Sequence, residues 1–175
     1  MASPMSAAAT LRARTAARHD EVDAAFGGFR LGAREGYRDF LLAHARALPA
    51  AEAALAAVPD LPDWRPRTAL LADDLAELGD AMPAVLPFDT PSPAFAWGVL
   101  YVIEGSRLGG AMLARDVAPG LPRRYLAAAF LPGEWRALRG ALDTQAARGG
   151  EDWLAEAVAG AEACFSLYRR ATTGE

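Results

Sequence analysis

The sequence predicts an all-α fold, a single domain built as a multi-helix bundle, on three observations. Alanine, the strongest helix former, fills about a quarter of the 175 positions. Apolar residues recur at helical spacing through most of the chain, and no stretch alternates in a way that a helix does not also explain. The chain is 53% hydrophobic and 23% charged, enough apolar surface for one core and too short for two ordinary domains.

The elements follow in order. A first helix is expected from about Thr10 to Phe26, with Leu11, Thr15, Val22 and Phe26 on one face and Gly27-Gly28 ending it. A second, from about Arg34 to Val58, turns Tyr37, Phe40, Leu41, Leu48 and Leu55 inward, with Pro49 kinking it and Pro59 and Pro62 closing it. A third runs from about Pro66 to Ala81, its proline in the first turn where a missing N–H costs nothing. The stretch Pro83 to Pro93 reads as a loop, and a glycine-interrupted apolar helix follows from about Ala94 to Val117. Two more helices, about Pro132 to Ala147 and Glu151 to Ala171, complete the domain. Residues 1–9 are expected to be a disordered N-terminal segment, 10–171 the helical domain, and 172–175 a tail.

Composition excludes several classes. The formal charge is −4, without the basic stripe that phosphate binding needs, so no nucleic-acid partner is expected. Cys164 is the lone cysteine; it can form neither an internal disulfide nor a thiolate cluster, and it reads as a buried thiol. The first ten residues lack the basic start and apolar core of a secretory signal, and no run approaches the roughly 20 apolar residues of a span. A cytoplasmic protein without membrane insertion is therefore expected. There is no lysine, so all 18 basic residues are arginines. Residues 47–90 carry two arginines against eight acids, which reads as a solvated acidic face.

Only two histidines, His19 and His44, are available as imidazole ligands. His19 shares the apolar face of the first helix, and Asp23 follows one turn later, within reach of the ring. That pattern reads either as a packing pair or as a metal ligand oriented by a carboxylate. Arg12 lies two turns before His19, roughly 10 Å along the axis and on the same side, where it reads either as a solvated arginine or as a fixed charge at a ligand's edge. His44 reads as structural or exposed. In the fourth helix, Gly98, Gly105, Gly109 and Gly110 each cost about 0.5 to 1 kcal/mol relative to alanine. Gly105 and Gly109, one turn apart, leave bare backbone for a flat ligand or for a closely crossing helix.

Two ordered segments carry a resemblance. Leu11-Arg12-x-x-Thr15-x-x-x-His19-x-x-x-Asp23, followed by Arg34-Glu35-Gly36-Tyr37, and Gly105-Ser106-x-x-Gly109-Gly110 are together similar to the heme oxygenases, over roughly residues 10 to 170 and closest to the shorter bacterial forms associated with bacteriophytochromes. The resemblance implies heme held between a proximal N-terminal helix and a kinked, glycine-rich distal helix. His19 would be the iron ligand, Asp23 the carboxylate on its ring, and Gly105 and Gly109 the backbone facing the iron. It also maps propionate-binding residues onto Arg12, Arg136 and Arg139, and a heme-packing aromatic onto Phe165. Where the family's best-known members place an aspartate that organises proton delivery, this chain has Ser106. The implied activity is ring opening of heme to biliverdin with release of carbon monoxide and ferrous iron, heme being both substrate and cofactor and O2 the co-substrate. The implied electron donor is a ferredoxin or flavin reductase, and the chain a monomer. The absent aspartate motivates an alternative, a heme carrier of the same fold without efficient turnover. A thiaminase II-like reading fails because Cys164 sits in the wrong part of the chain.

Overall fold

The computed structural model describes residues 5–173. Five helices appear in chain order: α1 Ala7–Phe26, α2 Arg34–Ala56, α3 Thr68–Glu77, α4 Pro93–Leu113 and α5 Glu134–Thr173. No strand occurs among the described residues. The last helix is the hub: α1, α2 and α4 all pack on it. Leu11, Tyr37, Leu41, Leu48, Leu100 and Leu167 are among the fully enclosed side chains of the shared core. Each such leucine contributes about 1.5 to 3 kcal/mol by leaving water.

Several boundaries differ from the sequence reading for identifiable reasons. Helix α1 starts at Ala7 rather than Thr10, because the Ser6 hydroxyl accepts from the Ala9 N–H and the Ala7 N–H donates to Asp143 Oδ1 at 2.7 Å. Residues 7–9 are therefore helical, with Ala7 and Ala8 buried, against the expected disordered segment; residues 1–4 lie outside the described ones. Of the expected tail, residues 172 and 173 continue α5, and 174–175 lie outside the described residues.

Helix α3 is shorter than expected at both ends. Its start is set by Glu52 of α2, whose buried carboxylate accepts from the Arg67 N–H (2.7 Å), the Thr68 N–H (3.1 Å) and the Thr68 hydroxyl (2.6 Å). A carboxylate on these otherwise unpaired N–H groups caps the helix from another element. Its end is set by Gly79, whose φ of 88° only glycine adopts readily.

The two expected C-terminal helices are both present within α5, separated by a non-helical break at Gly150 (φ 67°, ψ −159°). The acidic stretch is not a uniformly solvated face. Besides Glu52, Asp74 is fully buried and accepts from the Tyr125 N–H (2.9 Å) and the Arg124 N–H (3.2 Å).

The α4–α5 crossing positions the rest. A side-chain carbon added at Gly98 would collide with the Ala157 carbonyl, and one at Gly160 with the Phe95 carbonyl. Glycine at both places lets the two backbones touch.

Candidate functional site

Helices α1 and α4 each pack on α5 but share no extended face with one another. They meet where the Tyr101 hydroxyl donates to the Ala8 carbonyl at 3.4 Å. Beyond that contact lie His19, eleven residues along α1, and Gly105 and Gly109, four and eight residues along α4.

On α1, Leu11 and Thr15 are buried, Val22 and Phe26 are half-buried, and His19 is exposed, its side chain 58% accessible. His19 Nδ1 lies 3.1 Å from Asp23 Oδ2. The remaining ring nitrogen, Nε2, makes no hydrogen bond among the described residues. One edge of the ring packs at 5.6 Å, nearly perpendicular, on Phe165 of α5. Asp20 joins His19 and Asp23 in an exposed group whose ligand atoms lie within 4.8 Å of one another. A histidine with one nitrogen tied to a carboxylate and the other free has the tautomer and orientation of a metal ligand fixed.

The helix α4 glycines divide into two kinds. Gly98 serves the crossing with α5, and a carbon at Gly110 would stand 3.2 Å from the Leu126 carbonyl, so both are packing glycines. At Gly109 an added carbon would meet nothing within 4 Å. At Gly105 it would stand 3.5 Å from the Trp135 indole. The close helix crossing therefore falls at Gly98, and neither Gly105 nor Gly109 meets a crossing backbone.

Arg12 of α1 and Arg139 of α5 lie near the Tyr101 hydroxyl, whose pKa burial raises and these two guanidiniums pull back down. Arg136 is exposed and has no ion-pair partner among the described residues.

Sequence reasoning left the orientation of Glu104, Ser106 and Arg107 open, and missed Arg67. Glu104 and Arg107 are buried and paired, with Arg107 Nη2 2.9 Å from Glu104 Oε1 and Nε 3.0 Å from Oε2. Arg107 further donates to the Ala128 carbonyl at 3.0 Å and to the Arg65 carbonyl. Behind α4, Arg67 Nη2 donates to Ser106 Oγ at 2.7 Å and to the Ile103 carbonyl at 2.6 Å, while the Ser106 hydroxyl donates to that same carbonyl at 2.6 Å. The Arg67 guanidinium lies over the Tyr125 ring, 5.2 Å from its centre, and its Nε has no partner. The available signal was that Arg67 is one of only two arginines in the acidic segment.

His44 is structural. Its Nδ1 is 2.7 Å from the Tyr125 hydroxyl, and its ring contacts Phe26, Phe40 and Tyr168. Burial, with a contribution from Arg67, pushes its pKa down to about 3. Cys164 is fully buried and its thiol pKa is raised by burial, which leaves it unreactive.

The described residues form a helical bundle that carries an accessible, carboxylate-bound histidine on one helix and an unoccluded glycine on another, and this bundle has counterparts among known proteins. The chain is 36% identical over 122 residues to a heme oxygenase of Xanthomonas campestris pv. campestris (strain 8004), covering 64% of this chain and 70% of that one. Its structure superposes on a heme oxygenase from Neisseria meningitidis, solved in NO- and CO-bound forms, with a TM-score of 0.78 and 27% identity over 98% of this chain and 94% of that one. No family model matches. The chain belongs to the heme oxygenase family.

Proposed function

We propose that this protein opens the heme macrocycle to biliverdin with release of carbon monoxide and ferrous iron, using O2 and electrons from an external donor such as a ferredoxin or flavin reductase. The observations that carry the reading are an accessible, Asp23-bound His19 on α1 and an unoccluded Gly109 on α4, two helices that share no extended face. This donor set fits heme: an imidazole with Nε2 free for iron, and a helix without a side chain at Gly109, where a flat ring could approach. When bound, heme supplies both the oxygen-binding iron and the bonds that are broken.

The chain's own residues orient and exclude. His19 ligates through Nε2 while Asp23 fixes the ring by holding Nδ1. Phe165 packs on the imidazole edge and limits its rotation. Arg12 and Arg139 supply the positive charge that two propionates need, with Arg136 one turn before Arg139. Bare backbone at Gly109 would leave a bound ring without a side-chain acid at that position. Ser106, its oxygen held by Arg67 and its proton given to the Ile103 carbonyl, stands where the resemblance implies a carboxylate, and it would position a proton once its hydroxyl turns from that carbonyl. We further infer a cytoplasmic, monomeric enzyme; no helix among the described residues is long and apolar enough to cross a membrane.

The test of His19 is an optical titration with hemin. His19→Ala is expected to lose the imidazole-ligated spectrum and regain it on adding free imidazole. An unchanged spectrum in His19→Ala, with loss in His44→Ala, would move the ligand to α2.

A further inference from the structure

Trp135 is the one large side chain placed against the distal glycines, and nothing in the family pattern or in the ligand set above gives it a role. It is the second residue of α5, directly after Gly133, whose φ is 88°. Its indole occupies the space that Gly105 leaves open, with Cη2 3.5 Å from where a side-chain carbon would stand. Gly109, one turn on, has nothing within 4 Å. Of two bare positions on α4, the protein therefore covers one with its own aromatic ring and leaves the other free.

The indole is held firmly. It lies between Tyr101, with ring centres 5.7 Å apart at 30°, and Phe130, 5.4 Å apart at 29°. The turn that carries it is fixed on the outside by a two-pronged ion pair, Arg65 to Glu134, with distances of 2.8 and 3.1 Å. A Glu134 oxygen also accepts from the Leu131 N–H at 2.6 Å. Two turns further on, Asp143 caps α1. At the opposite end of the α4 face there is no comparable wall, because Leu108 and Met112 are 50% and 68% exposed.

We propose that Trp135 is the specificity-determining wall of the heme site, setting how far the macrocycle slides and rotates along α4 and thereby which edge of the ring is presented for cleavage. The proposal rests on the heme oxygenase reading. A rigid planar macrocycle anchored at its centre cannot overlap a fixed indole, so it seats toward Gly109 and the open Leu108–Met112 end. An aromatic ring confined by two others moves too little to yield, and steric exclusion of this kind discriminates by one to two orders of magnitude.

The experiment compares wild type, Trp135→Phe, Trp135→Leu and Trp135→Ala by two readouts. The first is the biliverdin isomer distribution; the second is the proton NMR pattern of heme methyl groups in the ferric cyanide complex, which reports seating without turnover. Wild type and Trp135→Phe are expected to share one dominant isomer and one seating. Trp135→Leu and Trp135→Ala are expected to raise a second isomer by about tenfold and to show a second set of methyl signals. Leu138→Ala, which truncates a buried neighbour on the same segment, is expected to lower thermal stability with the isomer distribution unchanged. An unaltered isomer and methyl pattern in Trp135→Leu and Trp135→Ala overturns the proposal. Failure of wild type to release biliverdin overturns the functional reading instead, and the methyl pattern still decides the wall.

Discussion

Ser106 Oγ sits 2.7 Å from Arg67 Nη2, so the position where the family resemblance implies an aspartate holds a hydroxyl bound by a buried cation. Both groups donate to the Ile103 carbonyl, which ties the hydroxyl and the Arg67 guanidinium, at the start of α3, to α4. Positioning a proton carrier is worth roughly two to four orders of magnitude in rate. Arg67→Met is therefore expected to slow single-turnover decay of the Soret band by at least about tenfold while hemin affinity stays within about twofold, since the residue lies behind α4 and not in the gap. Equal decay rates in the variant and wild type would remove Arg67 from the chemistry.

The two kinds of glycine on α4 make opposite predictions. Gly98→Ala drives a methyl group into the Ala157 carbonyl, an overpacked backbone contact costing about 1 to 3 kcal/mol or more. Gly109→Ala meets open space, and replacing a helical glycine by alanine is expected to gain about 0.5 to 1 kcal/mol. The same Gly109→Ala change is expected to weaken hemin binding and turnover. Thermal unfolding with and without hemin separates the two; a Gly109→Ala protein that is more stable and fully active would contradict the assignment of Gly109 to the substrate face.

His44 makes the fold sensitive to mild acid. The unfolded ring takes up its proton near pH 6.5, whereas the folded ring resists until about pH 3. Between those values the unfolded state binds the extra proton, so stability falls as pH is lowered, by up to about 1.4 kcal/mol per pH unit, and is unaffected by this group above pH 6.5. Urea denaturation at pH 7.5, 5.5 and 4.5 is expected to show a shallower pH dependence for His44→Gln than for wild type. Parallel curves would show that the ring is not held neutral.

Arg12 on α1 and Arg139 on α5 both lower the Tyr101 pKa through their charge, and each is expected to bind one propionate. Because both are solvent-exposed, neutralising either with Arg12→Gln or Arg139→Gln is expected to weaken hemin binding by only about fivefold. The loss is expected to shrink as salt is raised. Salt-independent binding in wild type would argue against charge pairing at this end.

The His19–Asp23 pair was readable because it is local: Asp23 follows His19 by one helical turn, and periodicity alone puts them together. The glycines of α4 were only half readable. Bare backbone looks the same in sequence whether a ligand or another helix covers it, and only Gly160, 62 positions after Gly98, shows that the first of them serves a crossing. Arg67 and Ser106 stand 39 positions apart, a contact that no helical spacing reveals. The acidic stretch misled for the same reason, since Glu52 and Asp74 bind backbone N–H groups on elements that local pattern does not connect to them.

An enzyme that opens heme is told from one that merely holds it by the fate of the Soret band. The most direct measurement is the optical spectrum of the protein with one equivalent of hemin, recorded before and after ascorbate is added in air with catalase present. Loss of the Soret band with appearance of biliverdin absorbance is the result expected. A Soret band that persists, with a stable ferrous-oxy spectrum and no biliverdin, would contradict it and leave a heme carrier in its place.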